Sequence, residues 1–534
     1  MQGRIERRTS GKLRRILPIL GILVLPFVQA LESCAAADIP GEVRVTVDLA
    51  SVVNTMRGGI GASWHAIEQP MPYADRPDAV FGIKSHGGSG WGGYPPAEDD
   101  AAWVQIDRHA RWLGLDWNRV EFEQRIYEPE RGQFSWDNPE MKILYRILDG
   151  CEKNRADVFL QQMWGNVKWN TYPEWRDDAA GRIHSAPLDV QAFADGLAAL
   201  VEHLVKQKGY TCIRWVCLNN EPGAHFSWWQ EPPNKPMMPY RAVERVRKAL
   251  DAKGLTNVPI SGMDISSGMP KYKPHPFEVC DQLGAYDFHS YGENFDWRAN
   301  GAMAAADRTT AEWTAGAHQT GKAFFLSEFG TMANGWGADH PGPGSFNSVL
   351  KDAELVVRRM NAGVDGFNRW SFINRGDLDG QWQFIETWDR AEKKLLREYT
   401  PHPNTYFLLG LLPRFTAKHS DVLACTVTGG RVGPWPRVFA AMLRSPKGNL
   451  TLAVVNDAPQ AFEGAFDLRG LGQPRRLHRY AVTEPDRADL KIESQTKFSL
   501  TQDAATYHDR VAPMSLTIYS TYKLGAADDG VIAE

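Results

Sequence analysis

Two glutamates stand at the ends of short apolar runs, and a chain breaker follows each almost at once. The first run is Ile213-Arg-Trp-Val-Cys-Leu-Asn-Asn-Glu-Pro-Gly223, in which Glu221 follows two asparagines and precedes a proline. The second is Ala323-Phe-Phe-Leu-Ser-Glu-Phe-Gly330, which places Glu328 two residues before a glycine. Apolar runs of this length, bounded by turn residues, read as core strands covered on both faces. A carboxylate at the carboxyl end of such a strand lies where parallel barrels gather their catalytic groups. A pair of them meets the needs of glycosidic-bond cleavage. One carboxylic acid protonates the leaving oxygen, and one carboxylate meets the anomeric carbon or activates water.

The rest of the chain must bring these two groups together. Strands are expected at 58–65, 115–122, 158–164, 213–219, 258–263, 286–291, 323–327 and 364–370. Helical patterns lie between them at 103–113, 140–152, 189–208, 240–253, 304–320 and 346–362, with a short one near 277–283. A last helix is expected at 404–415, after an insertion at 374–399. Eight such units predict an α/β fold, a (β/α)8 TIM barrel spanning 58–417. Glu221 then ends strand four and Glu328 strand seven, facing one another. Their carboxyl groups are expected about 5–5.5 Å apart, the retaining spacing. His65 ends the first strand and Trp164 the third, each a candidate pocket wall or ordinary core. Trp228-Trp229 is either a stacking platform or loop packing. The glycine-rich loop at 87–93 lacks the Lys-Ser/Thr ending of a phosphate loop, and reads as surface loop near the barrel mouth.

Beyond residue 418 the pattern becomes short alternating runs with turns between them, which predicts an antiparallel β-sandwich over 418–524. The alternating stretch within 38–57 is expected to join that sandwich, and 525–534 reads as a disordered tail. Residues 1–37 carry basic side chains (Arg4, Arg7, Arg8, Lys12, Arg14, Arg15) and then the apolar run 16–28, the layout of a signal peptide. An exported protein is therefore expected. Leu31-Glu-Ser-Cys34 also has the form of a lipoprotein box, which would make Cys34 a lipid anchor.

Bulk properties narrow the classes further. A net charge of -4 with 23% charged residues argues against binding nucleic acid by bulk charge. The 19 tryptophans suit a protein that stacks flat, weakly polar ligands, and also suit a large core. The six cysteines are scattered rather than arranged as a disulfide framework. The 14 histidines show no His-Glu-x-x-His, so no metal is expected, and carboxylate chemistry implies no cofactor.

Asn220-Glu221-Pro222 and Ser327-Glu328-Phe329-Gly330 resemble the large clan of retaining β-glycosidases that includes cellulase-like family five. The resemblance implies Glu221 as acid/base, Glu328 as nucleophile, and Asn220 as the residue that holds the sugar's 2-hydroxyl. It extends to Arg119 on strand two, which would steady the nucleophile, to His289 and Tyr291 on strand six, and to Trp370 on strand eight as a floor for the sugar. The chain departs from family five after strand three, where Gln161, Gln162 and Trp164 stand in place of a histidine. The C-terminal sandwich is more similar to families thirty and thirty-nine.

Each of these residues also has a structural reading. Arg119 would serve as an ion-pair partner, His289 as a satisfied core histidine and Trp370 as core, while Glu121 and Glu123 would be ion-paired or solvated. A transglycosylase would share every one of these residues. A non-catalytic carbohydrate-binding protein would be favoured by loss of either glutamate, and both are present. The expected partner is an oligosaccharide or polysaccharide substrate.

Overall fold

The computed structural model describes residues 41–66, 94–223, 229–266, 281–292, 302–331, 342–373, 382–389, 392, 394–484, 494–502 and 505–524. The side chains of 179–180, 292, 302–304 and 388 are excepted, and all statements below concern this set. In chain order the strands that matter are β1 (Glu42–Thr55), β2 (Ile60–His65), β3 (Trp117–Glu123), β4 (Asp157–Trp164) and β5 (Ile213–Cys217). They continue with β6 (Ile260–Ile265), β7 (Leu283–Gly292), β8 (Ala323–Thr331) and β9 (Gly366–Arg369). Strands β2 to β9 close into an eight-stranded barrel whose neighbouring strands all run parallel. The expected TIM barrel is thus the observed one.

Helices link the strands where apolar spacing demands them. Helix α1 (Asp100–Leu113) starts at Asp99, whose side chain accepts from the Ala102 amide, and stops at Gly114 in the left-handed conformation. Helix α2 (Pro139–Lys153) has Asn138 as its cap and Pro139 in its first turn, and α3 (Val190–Glu202) is capped by Asp189. Helices α4 (Tyr240–Ala252), α5 (Ala302–Gln319) and α6 (Phe346–Asn361) follow. The expected helix at 404–415 is present, wound as a π-helix over Thr405–Leu409 and continued by α7 (Leu411–Phe415). Gly410 sits at the break, where a Cβ would lie 2.0 Å from the Tyr406 carbonyl oxygen. The short helix expected near 277–283 falls mostly outside the described residues, and Leu283 opens β7. The insertion after β9 returns as a hairpin of β10 (Ile385–Asp389) and β11 (Lys394–Pro401).

The second region is a nine-stranded sheet built from β1 and eight later strands. These are β12 (Asp421–Gly429), β13 (Val438–Arg444), β14 (Leu450–Asn456), β15 (Phe462–Arg469), β16 (Arg475–Thr483), β17 (Thr496–Leu500), β18 (Thr506–Val511) and β19 (Ser515–Ser520). Strand β1 lies in its interior, antiparallel to β12 and parallel to β15, so one pair departs from the antiparallel expectation. The sheet folds over one apolar core that takes Val45 from β1, Leu452 from β14 and Phe466 from β15. Its two edge strands meet through Phe498 and Tyr507, whose rings are 4.7 Å apart. The other face rests on the barrel's helices: Phe415 packs on Tyr480 at 4.9 Å, and Asn361 Nδ2 donates to the Ala440 carbonyl at 2.8 Å. No described helix is long and apolar enough to cross a membrane.

Candidate active site

Alternation along a strand sends every second side chain into the barrel. On β3 this gives Trp117, Arg119 and Glu121 in ascending order, and on β7 it gives Ala285, Asp287, His289 and Tyr291. The lowest of these join an apolar plug of Trp117, Phe159, Cys217, Ala285, Ala323 and Phe325. The next ones up are charged. Strand β8 changes register against β7 between Leu326 and Glu328, and an irregularity of this kind re-aims side chains. Ser327 and Glu328 consequently both serve the layer above the plug.

Glu328 is 6% exposed and held on both oxygens. Arg119 Nη1 donates to its Oε2 at 2.9 Å, and the Tyr291 hydroxyl donates to its Oε1. Burial pushes the Glu328 carboxyl up to about 7, Glu221 and Glu121 push the same way, and His289 and Arg119 pull against them. Glu221 follows the end of β5 with φ of 43°, in the left-handed region, and its side chain keeps 15% exposure. Its Oε1 accepts from His289 Nδ1 at 2.7 Å. Carboxylate oxygens of Glu221 and Glu328 and a ring nitrogen of His289 all lie within 4.8 Å of one another.

Arg119, fully buried, is the hub. Besides Glu328 it donates to Glu121, to Asn220 Oδ1 at 2.7 Å and to Asp264 Oδ2 at 2.8 Å. His289 Nε2 is 2.8 Å from Asp264 Oδ1. Burial works against a charged imidazole here, but Asp264 and Glu328 raise its pKa well above the ordinary value. Burial likewise opposes ionisation of Asp264, and Arg119 and His289 overcome it, holding that carboxyl well below the usual range. The Tyr291 phenol is raised by burial and by the neighbouring Glu328, so it stays a donor.

The remaining expected residues line the surroundings. His65 Nε2 is 3.1 Å from Glu121, and the ring of His65 meets Trp370 edge-on at 5.0 Å. Through Glu121 these two join the network of Arg119. Trp164 is buried at the end of β4, opposite Glu123. Glu123 pairs with Arg125 and accepts from Asn166 at 3.1 Å, an ion-paired role rather than one beside the catalytic pair. Trp229 packs edge-on against Phe193 of α3 at 5.7 Å, which makes it loop packing, and Trp228 lies outside the described residues. The glycine-rich loop at 87–93 and the segment before residue 41, with Cys34, also lie outside them. Cys151, Cys212 and Cys217 are buried free thiols.

Two contributors escaped the sequence. Asp264 occupies the centre of the charged layer, and Trp382, from the insertion, meets Tyr291 edge-on at 5.4 Å. An apolar strand followed by an aspartate was the available signal for the first. Nothing periodic marks the second.

No family model matches the chain, and no curated protein matches it in sequence. Solved structures do match its fold. A glycoside hydrolase family 30 subfamily 8 xylanase from Clostridium acetobutylicum aligns with TM-score 0.56 at 12% identity, over 90% of this chain and 99% of its own. An α-L-arabinofuranosidase from Thermotoga maritima aligns with TM-score 0.59 at 13% identity, over 90% and 100%. An endo-β1,6-glucanase aligns with TM-score 0.58 at 13% identity, over 92% and 95%. Barrel and appended sheet together thus form the architecture seen in these glycoside hydrolases.

Proposed function

We propose that the protein is an exported retaining glycoside hydrolase that cleaves β-glycosidic bonds of a plant, microbial or other glycan. The approach of the Glu221 and Glu328 carboxylates to within 4.8 Å carries this reading. An inverting pair needs about 6.5–9.5 Å to admit a water between carboxylate and sugar. Glu328, once ionised, attacks the anomeric carbon, while Arg119 and Tyr291 fix the direction of its oxygens. Glu221 gives its proton to the departing glycosidic oxygen. Its partial exposure suits a group that must exchange protons with water. In the second half-reaction Glu221 takes a proton from water, which attacks the glycosyl ester and releases sugar of unchanged configuration. The xylanase, the α-L-arabinofuranosidase and the endo-β1,6-glucanase among the fold neighbours support the substrate class. The basic and then apolar N-terminus supports export, and the mass of the mature chain distinguishes plain cleavage from a lipid on Cys34.

The test is sugar release by purified protein from β-linked polysaccharides and aryl β-glycosides, with proton NMR of the first-formed anomer. Retention is expected, with kcat lowered on the order of 10⁴-fold or more in Glu328→Ala. A folded wild type that is silent across the panel, or a product of inverted configuration, overturns the proposal.

A further inference from the structure

Asp264 has no assigned role, is fully buried, and touches the support of both catalytic glutamates. Its Oδ2 accepts from Arg119 Nη2 at 2.8 Å, and the same guanidinium holds Glu328 and Asn220. Its Oδ1 lies 2.8 Å from His289 Nε2, and the other nitrogen of that ring holds Glu221. Oδ1 also accepts from Ser327 Oγ at 2.8 Å, from the residue just before Glu328. The backbone joins in as well: the Glu221 amide donates to the Asp264 carbonyl at 2.9 Å. Both residues have positive φ, 43° for Glu221 and 53° for Asp264, so two strained residues brace one another.

From this geometry we infer that Asp264 is the positioning residue of the catalytic pair, fixing Arg119 and a doubly donating His289 so that Glu221 and Glu328 keep their spacing and their separate roles. The charged and titratable groups around it come from four strands or strand ends: Arg119 and Glu121 from β3, Cys217 and Glu221 from β5 and its end, Asp287 and His289 from β7, and Glu328 from β8. Asp287 lies beneath it and accepts from the Asp264 amide and from Ser261. Burial and the neighbouring Asp264 raise Asp287 to about 7, so Asp287 adds little negative charge below that pH. Among the described residues Asp264 is the carboxylate that hydrogen-bonds both Arg119 and His289, while Glu328 bonds Arg119 and stands 3.7 Å from His289 Nδ1. Both ring nitrogens of His289 face carboxylates, and an imidazole donates from both only when it carries its second proton. Asp264→Asn keeps the shape but offers one acceptor oxygen to three donors. His289 is then expected to fall to one ring proton, and the positive charge beside Glu221 is lost.

The inference rests on the proposed glycosidase reading for its kinetic arm alone. In the wild type without substrate, NMR of the ring nitrogens should show two His289 N–H protons between pH 5 and 8, assigned against His289→Gln. Asp264→Asn should show one. On an aryl β-glycoside, Asp264→Asn should lower kcat/KM about 10²-fold, chiefly through kcat, with a displaced pH-rate profile. A purely structural aspartate would lower the yield of folded protein and leave the profile of the remainder in place. A wild-type His289 with one ring proton, or one that titrates at the ordinary value, overturns the inference whether or not the variant folds. So does an Asp264→Asn enzyme with the wild-type pH profile. Wild-type protein inactive on every glycoside sinks the proposed function, and the ring-proton count then decides the role of Asp264 by itself.

Discussion

The same eight strands build two unlike layers, one above the other. In the lower layer Trp117 lies 4.6 Å from Phe325 and 5.7 Å from Phe159, with Cys217 and two alanines filling the gaps. In the upper layer, reached two to six residues further along β3, β7 and β8 and joined by Asp264 of β6, Arg119, Asp264, His289, Glu328 and Tyr291 share hydrogen bonds. The lower layer stabilises the barrel by burial and packing, which are indifferent to pH. The upper one takes several charges out of water, which costs free energy unless each is matched, and in return fixes geometry. A barrel of this kind keeps its stability at one end and its chemistry at the other.

That division can be broken at either end. The largest effect on chemistry outside the nucleophile should come from Glu221→Gln, with kcat lowered about 10²–10⁴-fold. The loss should be severe for natural glycans and much smaller for aryl glycosides whose leaving group needs no proton. Steady-state kinetics on both substrates checks this, and equal losses would contradict an acid role for Glu221. At the other end, Trp117→Ala should cost about 3–5 kcal/mol of stability. Denaturant unfolding reads that loss, and the variant's pH-rate profile should be that of the wild type. A third, smaller test concerns pH. Burial raises Asp116 to about 7, Asp287 to about 7 and Asp352 to about 6, as it does Glu328. These carboxyls bind protons in the folded chain that they lose in the unfolded one. Their stabilisation is complete below the unfolded value of about 3.9 and is lost as pH rises through 6–7. His289, raised in the folded chain, acts with the same sign at higher pH. The contribution of Asp264, whose pKa is lowered, is already complete above the unfolded value and stays constant over this window. The melting temperature should therefore fall from pH 5 to pH 8, and a rise would show that these groups are ionised in the native state.

The sequence made the barrel legible because short apolar runs alternate with helical patterns eight times along the chain. Arg119, His289 and Tyr291 were legible through the resemblance to the β-glycosidase clan, and alternation along β3 and β7 places them above the plug. Asp264 was hidden because Ile260-Ser-Gly-Met-Asp-Ile265 reads as a plain buried strand, and nothing local announces the left-handed turn of its backbone. The register change that re-aims Glu328 is equally silent, since it depends on the strand alongside. In the second region β12, β13, β14 and β19 stood out as apolar runs. Strands β15 to β18, at or next to an edge of the sheet, did not, and on β16 to β18 residues such as Arg475, Arg476, Lys497 and His508 dilute the apolar pattern. Trp382 belongs to the insertion, and it packs on Tyr291 and under Arg369, both remote in sequence.

Strand β1 is made before any part of the barrel, yet both of its partners lie beyond it. At ordinary rates of synthesis, about 5–20 residues per second, it waits tens of seconds for β12 and β15 to emerge. The barrel can close in that interval, while the sheet stays open until β12 and β15 have been made. With β1 absent, β15 and β18 would have no strand to join them to β12. The sheet is therefore a clasp across the barrel, joining a strand made before it to strands made after it and fastened later.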